Sequence, residues 1–155
     1  MISPEKYFGV EGASMTDEIF TYIRKDNGEH LDFNVTKIIN SPRFKFIPTI
    51  NVAIERDFAQ TMPEQAGIEK HRVLTFCELL KRGMEDQIQP VLFLRMDDGS
   101  HILADGNNRY FAYACMGRTA VPAKIIPKGI WKKCMVTGLP KFDDPRDLQK
   151  MPSGY

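Results

Sequence analysis

Asp98-Gly99, set between two short apolar runs, is the feature of this 155-residue sequence that most limits how it can fold. Val91-Leu92-Phe93-Leu94-Arg95 and His101-Ile102-Leu103-Ala104 read as two buried strands, and the link Met96-Asp97-Asp98-Gly99-Ser100 carries an Asp-Gly pair, a strong hairpin signal. After a polar elbow, Asp105-Gly106-Asn107-Asn108-Arg109, the stretch from Arg109 to Met116 places Phe111, Ala114 and Cys115 on one helical face, and Gly117 should stop that helix. Val121-Pro122-Ala123-Lys124-Ile125-Ile126 then reads as another strand. The order strand, turn, strand, elbow, helix, strand predicts an α/β (α+β) domain with a small mixed sheet flanked by helices.

The elbow lies where a strand ends and a helix begins, so unpaired backbone N–H groups and the positive end of the helix dipole can together attract an anion. Gly106 lets backbone approach a ligand, the amides of Asn107 and Asn108 can donate to phosphate or cap the helix, and Arg109 offers a bidentate fork. The competing interpretation is a plain strand-to-helix turn in which Asp105 or an Asn caps the helix.

Gly106-Asn107-Asn108-Arg109 with Tyr110-Phe111-Ala112, then Gly117 and Val121-Pro122-Ala123, resembles the core of the ParB/sulfiredoxin superfamily: a Gly-x-x-Arg elbow, a helix ending in Gly and a strand entered through Val-Pro. Gly83 with Ile88-Gln89-Pro90-Val91 is similar to the stretch entering the family's preceding strand, and Phe33 to Pro42 looks like its opening strand and Asn-Pro turn. The resemblance spans roughly residues 33 to 126 and implies the ParB/sulfiredoxin-like fold. It also implies a division of the chain into an N-terminal helical extension (1–30), the family domain (31–136) and an irregular tail (137–155).

The branches of that superfamily imply different chemistries. Sulfiredoxins place a catalytic Cys where this chain has Asn107, and an amide cannot serve as a thiolate nucleophile, so sulfiredoxin activity is not expected. Chromosome-segregation ParB proteins bind CTP through Gly-Glu-Arg-Arg, and here Asn107 and Asn108 replace the Glu and the first Arg. The elbow comes closest to the Asp-Gly-His-x-Arg of the branch that includes free-serine kinases. Those kinases carry an acid soon after the opening strand, where Ser41-Pro42-Arg43-Phe44 has none; Glu55 or Asp57 is the available substitute.

The leading expectation is therefore a nucleotide-binding protein, with phosphotransfer or NTP hydrolysis as its reaction. The nucleotide (ATP, ADP or CTP) would bring any Mg2+ with it. Asp105 and Arg109 are the catalytic candidates, Gly106, Asn107, Asn108 and Arg109 the phosphate-binding ones, and Gln89 and Pro90 would line the base or ribose side. Arg109 is expected to carry ligand affinity rather than fold stability. Two alternatives come from other classes: a ParB-like nucleic-acid-binding protein or nuclease, and a non-catalytic interaction protein on the same fold.

Composition narrows these choices only partly. A chain 43% hydrophobic and 26% charged can build a real core, and a net charge of +1 gives no general pull toward nucleic acid or anionic membrane. Lys124, Lys128, Lys132 and Lys133 do form an acid-free basic stretch around Trp131, which could contact a nucleic-acid backbone and stack on a base. No apolar run is long enough to span a bilayer, the first residues lack a signal-peptide core, and three widely spaced cysteines suit a reducing cytoplasm. No ligand spacing points to a protein-held metal.

Elsewhere, Thr16 to Arg24 reads as a helix capped by Ser14 or Thr16 and ended by Asp26-Asn27-Gly28. Residues 63–82 read as the longest helix, opened by Pro63 and presenting Val73, Leu74, Cys77 and Leu80 on one face. Phe44 to Ile54, with its proline, is either an extended connection or an edge strand. Ile130-Trp131 and Met135-Val136 are candidates to pack back on a core.

Overall fold

Alternation and turn chemistry produce two separate sheets in the computed structural model, which describes residues 17–24, 27–65 and 67–136. The elements run β1 (Ile19–Ile23), β2 (His30–Asn34), α1 (Val35–Ile39), β3 (Ile50–Ala53), α2 (Arg56–Gln65), α3 (Lys70–Lys81), β4 (Val91–Arg95), β5 (His101–Asp105), α4 (Asn107–Cys115), β6 (Ala120–Ile126) and α5 (Lys128–Trp131). The chain is thus mixed α+β. It divides into two compact units, Phe46–Pro127 and a second formed by Met1–Lys45 with Lys128–Tyr155. The boundary expected at 30/31 falls within β2, and the tail expected over 137–155 lies outside the described residues.

In the unit from Phe46 to Pro127 the strand order is β3-β6-β4-β5. β4 and β5 form the expected antiparallel hairpin, β6 runs parallel to β4, and β3 pairs antiparallel with β6 at the edge. Val91, Leu92, Phe93 and Leu94 are all buried, as an interior strand covered on both faces requires. Val91 and Phe93 share a core with Val121 and Ala123 of β6, Met62 of α2, Leu80 of α3 and Tyr110 and Tyr113 of α4. Tyr110 anchors α4 within it: its ring meets Phe93 and Phe58 edge-on at centroid separations of 6.3 and 5.5 Å, and its hydroxyl accepts the Glu55 N–H at 2.9 Å.

The single helix expected over 63–82 is two helices, α2 and α3. The first ends at Gln65, Gly67 takes a left-handed φ of 62, and the extended Glu69 (φ −106, ψ 117), whose N–H donates to Asn108 Oδ1 at 2.8 Å, starts the second. Pro63 lies inside α2 rather than in its first turn. On α3, Val73 and Leu80 are buried while Leu74 is 55% exposed, because positions i, i+4 and i+7 stack on one face and i+1 turns away. The Phe44 to Ile54 stretch resolves into a short 3-10 turn (Phe44–Phe46) and the edge strand β3.

In the other unit, the helix expected over 16–24 is instead strand β1, paired in antiparallel register with β2 from Ile19↔Asn34 to Ile23↔His30. Ile-Phe-Thr-Tyr-Ile consists entirely of β-branched and aromatic residues, and that preference prevails over the acids that resembled a first helical turn. One of those acids, Asp17, accepts from Asn34 Nδ2 at 2.8 Å, and the Glu18 N–H donates to Thr36 Oγ1. The proposed caps Ser14 and Thr16 lie outside the described residues. The opening strand expected from Phe33 ends at Asn34, whose Oδ1 accepts the Lys37 N–H and starts α1. Trp131 packs edge-on against Phe33 at 5.4 Å, and Met135 bridges to Phe33, so the stretch from Ile130 to Val136 does return to a core.

Candidate functional site

The elbow is built by a break in the hairpin ladder. Arg95, Leu94 and Phe93 pair in step with His101, Ile102 and Leu103, but Leu92 pairs with Asp105, so β5 carries one extra residue at its end. A bulge bends the strand and re-aims the residue beyond it. Here it brings the Asp105 carboxylate to Arg109, whose Nη2 donates to Asp105 Oδ2 at 3.0 Å. Arg109 Nη1 donates to the Pro90 carbonyl at 2.9 Å and to the Gln89 carbonyl at 3.0 Å. The two charged side chains are largely sheltered, 14% exposed for Arg109 and 20% for Asp105.

The guanidinium therefore ties the entry of β4, the exit of β5 and the first turn of α4 into one clamp. Three of its five N–H donors are committed within the protein. Gln89 and Pro90 meet it through backbone carbonyls, and the Gln89 side chain is exposed.

Gly106 is required here for two independent reasons. Its backbone is left-handed (φ 97, ψ 31), and a Cβ would come within 2.7 Å of Val91 Cγ1 and 3.0 Å of Arg109 Nη2. The close approach the glycine permits is thus between parts of the protein itself. As the helix N-cap it makes no side-chain capping bond, and the first intrahelical bond is from the Tyr110 N–H to the Gly106 carbonyl at 2.8 Å. The N–H groups of Asn108 and Arg109 precede that bond, so they lie at the positive end of the nine-residue α4. Asn108 spends its carbonyl oxygen on Glu69, joining the starts of α3 and α4, and Asn107 is the half-buried first residue of the helix.

The other candidates are placed elsewhere. Glu55 and Asp57 are exposed around the start of α2, and Glu55 reaches α4 through its backbone bond to Tyr110. Lys128, Lys132 and Lys133 are exposed, but Trp131 between them is only 5% exposed and occupied by Phe33, so it offers no face to a base. Lys124 donates to the Ile47 carbonyl at 2.9 Å. Among the described residues no three His, Cys, Asp or Glu side chains gather as a metal cage.

Titration behaviour follows burial. Burial pushes the Cys77, Cys115 and Cys134 thiols up, the opposite of what a thiolate nucleophile needs. Tyr113 is pushed up to about 12, first by burial and then by the Glu85 carboxylate, with Arg118 and Arg109 opposing.

Sequence reasoning missed the bulge, because pairing register is not written in the alternation of a five-residue strand. It also missed the committed state of Arg109; the i, i+4 spacing of Asp105 and Arg109 was the available signal. Against models of known protein families and against curated proteins, the chain has no match.

Proposed function

We propose that this protein binds a phosphate-bearing ligand, most simply a nucleotide, at the first turn of α4, with backbone N–H groups making the contact and Arg109 acting as the positioning residue behind them. The observation that carries this reading is the left-handed Gly106 leading into the helix start, held in place by the Asp105–Arg109 clamp. A pre-set array of N–H dipoles costs little to organise when an anion arrives, and the helix dipole adds to its attraction. The resemblance to the ParB/sulfiredoxin superfamily supports the same placement. A divalent ion would accompany the nucleotide, and Asp105 Oδ1 is the carboxylate atom the elbow could offer it. Phosphoryl transfer or NTP hydrolysis would be a further property of that bound state.

One observation favours a second reading. Arg109 and Asn108 are both committed to protein partners, which suits an elbow that is purely structural in a non-catalytic interaction protein. A thermal-shift screen of ATP, ADP, CTP and GTP with and without magnesium separates the two. A ligand at 100 times its dissociation constant adds about 2.7 kcal/mol. Stabilisation by at least one nucleotide is expected, whereas no shift with any of them leaves the structural elbow.

A further inference from the structure

A cavity of about 320 Å3 opens at the other end of α4, away from the elbow. Its apolar lining comes from Ile54 at the end of β3, Ala59 of α2, and Phe111 and Ala114 of α4. Two small residues, Ala59 and Ala114, leave the space, and the Ile54 N–H to Thr119 carbonyl bond at 2.9 Å closes one side by extending the β3–β6 ladder. Two cations, Arg56 and Arg118, line the same cavity, and no acidic residue is among its lining residues.

Their charges are not equally available. Arg118 is already answered by Glu85, at 3.2 Å. Arg56 has no ion pair among the described residues; Glu55 and Asp57 adjoin it in sequence, but neither lines the cavity. The site thus presents an apolar body cavity and close to one uncompensated positive charge. A cavity at the lower end of the ligand-pocket range suits a small molecule, and a guanidinium fork suits a carboxylate. A dianion would leave about one negative charge unanswered.

We propose that this cavity binds a small apolar monocarboxylate, its hydrocarbon body against Phe111, Ala114 and Ile54 and its carboxylate on Arg56, independently of whatever the elbow holds. The probe is 2-naphthoate, titrated into the full chain by fluorescence and calorimetry, with 2-naphthamide and 2-naphthyl phosphate as neutral and dianionic counterparts. Binding with a dissociation constant below about 1 mM is expected, weakened about tenfold or more in Arg56→Met and for the amide. Ala114→Phe fills the cavity and should abolish binding; Gln60→Trp, at an exposed lining position, should do the same without disturbing the core. Bound naphthoate should also slow iodoacetamide labelling of Cys115, which lines this cavity. The proposal is overturned by no binding up to about 5 mM, by equal affinity in Arg56→Met, by the amide or the phosphate binding as well as the carboxylate, or by unchanged Cys115 labelling.

Discussion

Arg109→Ala should destabilise the protein itself, before any ligand is considered. The substitution removes three hydrogen bonds and one ion pair, but the losses are unequal. The Gln89 carbonyl is at the exposed side and water can replace its donor, so its share is close to nothing. The Pro90 carbonyl is part-buried, and leaving such an acceptor unmade costs about 1–3 kcal/mol. Asp105, 20% exposed, keeps a carboxylate without its cation; breaking a fully buried pair costs about 3–5 kcal/mol, and partial solvent access reduces this to about 1–2. The expected total is about 2–5 kcal/mol, a sizeable part of a typical net stability of about 5–15 kcal/mol. Urea unfolding followed by far-UV circular dichroism reads the loss, while Trp131 fluorescence reports the other unit separately. Asp105→Asn placed on top of Arg109→Ala should cost nothing more or restore about 1 kcal/mol, because the stranded charge is gone. A loss below about 0.5 kcal/mol for Arg109→Ala would refute the clamp, since the guanidinium would then contribute little to the fold.

Gly106→Ala should cost about 2–5 kcal/mol by the same assay, combining about 1–2 for a left-handed non-glycine backbone with about 1–3 for the contact with Val91. Tyr113 gives a pH signature: its folded pKa of about 12 stands above the ordinary 10, so its contribution is fully present below pH 10 and falls as pH rises from 10 to 12. Tyr113→Phe should flatten that alkaline arm relative to the unmodified protein in matched unfolding series, and identical arms would contradict the burial argument. If the elbow binds nucleotides through backbone N–H groups, ADP should bind within about tenfold of ATP, a difference of ~1.4 kcal/mol or less, and Asn107→Glu should introduce a magnesium dependence. Calorimetry with magnesium and with chelator checks this; a strong ATP preference lost on chelation in the unmodified protein means a natural carboxylate already holds the metal.

The central part of the fold was legible because local signals there agree. The Asp98-Gly99 turn, the apolar runs on either side and the stop at Gly117, with its left-handed φ of 72, each dictate the same outcome, and β4, β5, α4 and β6 fall where the pattern puts them. Errors arose where two local signals compete. Asp17 and Glu18 resemble a helix start, but Ile19 to Ile23 is a run of strand formers with a partner, His30 to Asn34, available across a short turn. The 63–82 pattern reads as one helix across Gly67, which takes a left-handed φ of 62, and across the extended Glu69, whose N–H donates to the Asn108 side chain 39 residues away. At the elbow, the residue types suit anion binding as chemistry, but Arg and Asn can equally serve the fold. What they could not reveal is that the acceptors of Arg109 are supplied by the chain itself at Gln89, Pro90 and Asp105.

The most direct test of the phosphate-binding account is an amide 1H–15N titration of the full chain with ADP. The account predicts that the N–H signals of Gly106, Asn107, Asn108 and Arg109 move together and saturably. Signals at 106–109 that stay fixed at ADP concentrations up to about 5 mM, or a response confined to other residues, would contradict it.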